Sequence, residues 1–266
     1  MLRSKKKKNL YALVTGAAGL LGYYHSQALL ELGYDLILTD INTKNLYANF
    51  QKLKKFKKKN KILLEKLDVS DENNIKFLID KYRNKYIYAL INNASINPVI
   101  NKSGNFNNSG KLEEISVEEW NNHLNIGLTG SMLCSKYFGY EMSKKKGGII
   151  INVASDLSVI APNHAIYKKN NFKPVTYSVV KHGLIGLTKY LATYWPNQNV
   201  RCNAISPGPV LNGQPKAFIN KLKKQIPMNR LANKNEYVGA IKFLCSKESK
   251  YMNGHNLILD GGRSIW

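Results

Sequence analysis

The chain has 266 residues and a formal net charge of +23, with 40 lysines and arginines against 17 acidic residues. A hydrophobic content of 44% and an aromatic content of 10% exclude a disordered chain, and the length suits one large α/β domain with a substantial core. Cys134, Cys202 and Cys245 are too few and scattered for a disulfide framework or metal site, no H-E-x-x-H occurs, and no apolar run approaches the roughly 18 residues of a membrane span.

The basic opening MLRSKKKKNL lacks the apolar core of a signal peptide, so a reduced, cytoplasmic protein is expected. Lysine runs at 52–61 (KLKKFKKKNK) and 143–148 (SKKKGG) could meet nucleic acid or an acidic membrane, but solvated helix faces and loop ends explain them better. Neither a specific nucleic-acid partner nor a membrane is expected.

In chain order, apolar strand-like runs alternate with helix-like segments. LYALVT (10–15) precedes a helix over about 20–33, and DLILTD (35–40) precedes a lysine-rich helix. ILLEKLD (62–68) leads into DENNIKFLIDKYRN, where Ile75, Leu78, Ile79 and Tyr82 recur at helical spacing. IYALINNA (87–94) is followed by a polar stretch and a long helix from about 117 to 144. GIIINVAS (148–155) and VRCNAIS (200–206) bracket a helix over roughly 177–195, and a short helix (235–246) leads to NLILDGG (256–262). This alternation predicts parallel strands joined by right-handed crossovers: a Rossmann-like, doubly wound α/β sheet flanked by helices on both faces. With no repeat or linker, 1–266 reads as a single domain with loop insertions near 95–116 and 156–176.

Ligands of such a sheet bind beyond the carboxyl ends of the strands, near the switch in strand order. After the first strand comes TGAAGLLG (15–22). Gly16 can allow a tight turn, Gly19 close approach of the backbone to a pyrophosphate, and Gly22 close helix–strand packing. Leu20 and Leu21, between these glycines, join the expected cofactor-binding set. The spacing is not G-x-G-x-x-G, and by itself it marks no more than a tight turn. Asp40 ends the second strand, where a carboxylate accepts hydrogen bonds from ribose hydroxyls and repels a 2′-phosphate, so NAD(H) is expected over NADP(H). Capping of the next helix is the alternative role for Asp40. Asp68, with Val69 beside it, meets the adenine or caps the helix beginning near 71. Asn93 and Ala94 close the fourth strand and border the cofactor.

The decisive element is YSVVK, Tyr177 to Lys181. Residues four apart share a helix face, so the phenol and the ammonium project into the same space. A phenol with a pKa of about 10 is a poor base at neutral pH, and an adjacent cation is expected to lower that value. Ser155, at the end of the fifth strand, is placed to donate to a substrate oxygen, with Ser158 as the alternative.

With TGAAGLLG, LDVSD, NNAS, NVAS, YSVVK, NAISPGPV and the final DGG in place, the chain resembles the short-chain dehydrogenase/reductase family nearly end to end. The resemblance implies that Tyr177 is the acid/base, that Lys181 lowers its pKa and binds the nicotinamide ribose, and that Ser155 orients the substrate oxygen. It places Pro207 and Gly208, with Val210, against the nicotinamide. A homodimer or homotetramer is expected.

Three departures stand out. The glycine spacing resembles the family's extended branch, whose members commonly modify nucleotide sugars, whereas length and NNAS resemble the shorter branch. Gly127 stands where the family usually has a catalytic asparagine, and Asn125, two residues earlier, should point roughly 200° away. A mid-helix glycine costs roughly 1 kcal/mol relative to alanine, so either a relay water or a close helix approach is expected there.

The stretch between Ser155 and Tyr177 is also longer than usual for the family and carries His164, Tyr167, Lys168, Lys169 and Lys173. With SINPVINKSGNFNNSGK (95–111), it forms polar loops that suit a hydroxylated or phosphorylated substrate, or else are surface insertions. Asn97, Asp156 and His164 are the expected substrate contacts. ASDLSVIAP, KPVTYSVVKHGLIGLTKYLATYW and DGGRSIW are similar to bacterial dehydrogenases of nonulosonic acid and flagellin-glycan synthesis, which implies sugar chemistry in surface-glycan biosynthesis. The leading expectation is an NAD(H)-dependent oxidoreductase acting on a secondary alcohol or ketone of a sugar derivative. An NADPH-dependent 3-oxoacyl-type reductase is a second reading. A non-catalytic cofactor-binding regulator or nucleic-acid binder is a third, opposed by the intact Tyr177–Lys181 pair.

Overall fold

The computed structural model describes residues 10–106 and 108–266, so all but the last residue of the basic opening MLRSKKKKNL lies outside the described residues. Strands β1 (Tyr11–Val14), β2 (Asp35–Asp40), β3 (Ile62–Lys66), β4 (Ile87–Asn92), β5 (Gly148–Val153), β6 (Val200–Pro207) and β7 (Asn256–Leu259) form one parallel sheet, in the order β3-β2-β1-β4-β5-β6-β7. Between them run α1 (Leu20–Glu31), α2 (Thr43–Leu53), α3 (Glu72–Tyr82), α4 (Val117–Leu124), α5 (Gly130–Cys134), α6 (Tyr140–Ser143), α7 (Val175–Tyr194), α8 (Lys216–Lys223) and α9 (Val238–Leu244).

Side chains of a strand alternate between its two faces, and both faces are covered here. Ala12, Val14, Leu36, Leu38, Ile91 and Ile151 pack with Leu29 of α1, Leu46 of α2 and Ile241 of α9. Leu13, Ile37, Leu90, Ile150 and Cys202 pack on the other side with Leu78 of α3, Leu191 of α7 and Phe138, which lies between α5 and α6. β1 and β5 are consequently buried at every residue, as the apolar run of β1 and the largely apolar run of β5 predict.

Two differences from the predicted elements bear on the cleft. The long helix predicted over about 117–144 is broken into α4, α5 and α6 by π-helical turns at Asn125–Thr129 and Ser135–Gly139. Such turns insert an extra residue without ending the helix and often mark functional sites. α8 was not predicted at all, because Leu222 is its only buried residue and lysines surround it. Its Leu222 joins Ile166, Ile226 and Leu231 in a small separate core.

Lys54, Lys55, Lys57, Lys58 and Lys59 are exposed, as are Lys144, Lys145 and Lys146, so both described lysine runs are solvated surface. Among the described residues, no helix is long and apolar enough to cross a membrane.

Candidate active site

Strand order reverses between β1 and β4, and the cleft at the carboxyl ends of the strands has a volume of about 540 Å³. Gly16 opens it with φ +63°, and a Cβ there would lie 2.8 Å from Ala94 Cα, so only glycine fits. The end of β4 clamps this turn. Asn93 donates its side-chain amide to the carbonyls of Thr15 (3.1 Å) and Gly16 (2.9 Å), while the Asn93 and Ala94 amides donate to Thr15 Oγ1. No side chain caps α1 at Gly19, which leaves the first amides of the helix for an anion. Leu20 and Leu21 line the cleft as expected, but Gly22 does not. Its missing side chain lets α1 sit against the turn, since a Cβ would fall 2.4 Å from Gly16 O.

Asp40 accepts from the backbone amides of Ala18 (2.9 Å) and Asn42 (2.8 Å), which ties it to the glycine turn. It is not the cap of α2: Asn42 is, accepting from the amide of Asn45 at 3.0 Å. A carboxylate has about four acceptor positions, so room remains for two ribose hydroxyls. Asp68 accepts from the amide and the hydroxyl of Ser70, while Asp71 caps α3. Asp40 and Asp68 line the cleft, together with Val69, Asn93, Ala94, Pro207, Gly208 and Val210. An uncapped helix start, a glycine cradle and a half-satisfied carboxylate on the neighbouring strand fit a dinucleotide.

At the other end, α7 presents Tyr177 and Lys181. Lys181 is buried, donates Nζ to Val153 O at 2.8 Å and lies 5.6 Å from the centre of the Tyr177 ring. Ser155 donates Oγ–H to Asp156 Oδ1 at 2.8 Å and accepts from the Leu157 amide at 3.2 Å. Ser158 instead pairs with Ser206 at 3.0 Å and does not line the cleft, which leaves Ser155 as the serine of the site.

One expectation about Tyr177 needs correction. Burial pushes its phenol up to about 12, with a hydrogen bond from Ser155 pulling down and the charge of Asp156 pushing up. Lys181 does not reverse this in the protein alone: its Nζ is turned onto Val153 O, 5.6 Å from the ring centre, and burial lowers its own ammonium to about 8.

Both polar segments close over the cleft. Phe106 N donates to Asn171 Oδ1 at 3.0 Å, Phe172 N donates to Ser109 O at 2.8 Å, and the Phe106 and Tyr167 rings lie 5.2 Å apart. Lys173 donates Nζ to Asn97 Oδ1 at 3.0 Å and to Pro98 O at 2.8 Å, and stands 3.9 Å from the centre of the Tyr177 ring.

Asn97 and Asp156 therefore line the cleft, whereas His164 does not. His164 is exposed in a short turn capped by Asn163, with its ring edge-on to Phe172 at 5.3 Å. Asp156 faces inward: Arg263 Nη1 lies 2.6 Å from Oδ2, and both side chains are buried. Sequence reading missed Arg263 as a site residue, because its partner is 107 positions away and no local pattern links them. Phe106, Gln214 and Phe218 were missed for the same reason.

Gly127 lies in the first π-turn, and a Cβ there would sit 2.6 Å from Val180 Cγ1 and 3.2 Å from Ser95 Oγ. Close approach to α7 is thus reason enough for the glycine. Asn125 is exposed and turned away, as its spacing predicts. Gly127→Asn is expected to overpack this contact at a cost of about 1–3 kcal/mol and to leave turnover unchanged or lower. Thermal unfolding and steady-state rates check this, and a large gain in turnover would count against it.

Fold and cleft together define a dinucleotide-linked oxidoreductase built on a single doubly wound sheet. The chain belongs to the short-chain dehydrogenase/reductase family; a family profile described as Enoyl-(Acyl carrier protein) reductase matches residues 16–264. It is 30% identical over 260 residues to post-translational flagellin modification protein A of Campylobacter coli, covering 96% of this chain and 98% of that one. It is 31% identical over 263 residues to 2-dehydro-3-deoxy-D-gluconate 5-dehydrogenase of Bacillus subtilis, covering 96% and 94% of the two chains. A crystal structure of NAD⁺-bound xylitol dehydrogenase matches with a TM-score of 0.83 at 25% identity, covering 97% of this chain and 100% of the other.

Proposed function

We propose that the protein moves a hydride between NAD(H) and a secondary alcohol or ketone of a sugar-like substrate, in the synthesis of a surface glycan. The observation that carries this reading is the placement of Tyr177, Ser155 and Lys181 at one end of a cleft whose other end presents Asp40 beside the glycine turn. Bound nicotinamide supplies or accepts the hydride. The turn from Gly16 to Leu21 would hold its pyrophosphate, Asp40 the adenosine ribose, Asp68 the adenine, Lys181 the nicotinamide ribose, and Pro207 with Gly208 the nicotinamide face.

Tyr177 exchanges the proton with the substrate oxygen. At about 12 the phenol is protonated at neutral pH, the form that donates during ketone reduction. For alcohol oxidation, the ammonium groups of Lys181 and Lys173 are the cations placed to stabilise the phenolate. Ser155, steadied by the Leu157 amide, can turn its hydrogen from Asp156 to the substrate oxygen.

The substrate end has apolar walls that include Val99, Phe106, Ile166 and Phe218, but Asn97, Asp156, Lys173, Gln214 and Arg263 also converge there, and these polar groups support a polyol. The named substrates of the relatives above, a gluconate derivative and xylitol, are both of that kind. Similarity to flagellin modification protein A supports the glycan role.

The coenzyme preference is testable. Placing a 2′-phosphate against Asp40 brings like charges together at a cost on the order of several kcal/mol. NADH is therefore expected to bind at least about tenfold more tightly than NADPH. Asp40→Ala should narrow the gap in fluorescence titrations with both coenzymes. Equal or tighter NADPH binding by the unmodified protein would overturn the assignment.

A further inference from the structure

The substrate end of the cleft holds more positive charge than the protein itself neutralises there. Lys173, Lys181 and Arg263 line it, and among the described residues that line this end only Asp156 is acidic. Asp156 is committed, with Arg263 on one oxygen and both Ser155 and the Leu157 amide on the other. Asp40 ends β2 and Asp68 follows β3, at the far side of the sheet, where they are held by Ala18, Asn42 and Ser70. Lys181 is turned down onto the carbonyl of Val153.

Lys173 is different. It has no ion-pair partner among the described residues, and its two hydrogen-bond acceptors, Asn97 Oδ1 and Pro98 O, are neutral. An ammonium has three N–H donors, so one is left for a ligand in the cleft that Lys173 lines. Arg263 Nε, also buried beside the cleft, has no acceptor among the described residues. A half-buried ammonium with no carboxylate in contact is costly, and burial lowers Lys173 to about 7, with the charge of Asp156 pulling up and that of Lys181 pulling down. An incoming anion would restore its charge.

Its position matters as much as its charge. At 3.9 Å from the centre of the Tyr177 ring, Lys173 stands over the side chain that serves the reacting oxygen. A group bound to it would be held beside the carbinol.

We propose that Lys173 receives an anionic group of the substrate, a carboxylate or a phosphate close to the reacting carbinol, and that this contact selects acidic over neutral polyols. The proposal rests on reading the cleft as the oxidoreductase site. Loss of the contact would remove selectivity rather than coenzyme binding, because Asp40, the glycine turn and Lys181 are untouched.

The test is calorimetric titration of the full chain saturated with NADH, which fills the pyrophosphate site and removes it as a competing anion site. Gluconate, glucose 6-phosphate and xylitol are the probes, with Lys173→Met and Lys173→Arg compared with the unmodified protein. At least one of the two anions is expected to bind about tenfold or more tightly than xylitol. Which anion does so distinguishes carboxylate from phosphate. Lys173→Met should level the three probes, Lys173→Arg should keep the preference, and neither should change NADH affinity. The proposal is overturned if xylitol binds as well as both anions, if neither anion binds, or if Lys173→Met keeps the unmodified preference. An NADH titration of the chain alone, followed by the same probe titrations without coenzyme, separates the two ideas. Failure of NADH to bind would sink the oxidoreductase reading, while the Lys173-dependent difference would still report on the contact.

Discussion

Tyr177→Phe is expected to leave coenzyme affinity intact and to slow hydride transfer by about 10²–10⁴-fold, the usual loss when general acid–base catalysis alone is removed. Phenylalanine keeps the ring, so the packing of α7 and the contact with Lys173 at 3.9 Å should persist. What disappears is the transferable proton and the hydrogen bond with Ser155. Coenzyme titration and the rate of NADH absorbance change on a turned-over polyol separate the two effects. Near-full activity in the variant would remove Tyr177 from the mechanism. Loss of coenzyme binding along with activity would point to a structural role for the hydroxyl.

Truncating the buried pair beside the serine should have the largest effect on stability. Arg263→Met leaves the carboxylate of Asp156 buried without its cation, and breaking such a pair typically costs about 3–5 kcal/mol. For a domain near this size, 1 kcal/mol corresponds to roughly 2–4 °C, so Tm is expected to fall by roughly 6–20 °C. Adding Asp156→Asn should recover much of that loss, because the damage comes from an uncompensated charge and the amide oxygen can still accept from Ser155. Differential scanning calorimetry on the single and double variants checks both parts. A single variant within about 1 kcal/mol of the unmodified protein would show that water or another group already neutralises Asp156.

The fold and half of the cleft could be read from the sequence because the signals are local. A strand such as 11–14 is apolar without interruption only when both sheet faces are covered, and that pattern needs no knowledge of the partners. The glycine turn, Asp40 at the end of β2 and the pair Tyr177–Lys181 on one helix face are each set within a few residues of backbone geometry. Their convergence follows from parallel strands ending at one edge.

Tertiary structure alone decided the rest. Two long loops could have placed His164 or Lys173 in the cleft. The choice fell to Lys173 because the loop segments pair through Phe106 with Asn171 and Phe172 with Ser109, which turns His164 outward. The sequence favours Ser155 at the strand end but leaves Ser158 as an alternative until Ser206, on β6, takes it. Gly127 is explained only by Val180, and Asp156 only by Arg263, contacts made between elements that meet after folding. The state of Tyr177 belongs to the same group. Spacing puts an ammonium nearby, but burial acts on both groups at once, raising the phenol while weakening the cation, and burial is a property of the assembled cleft.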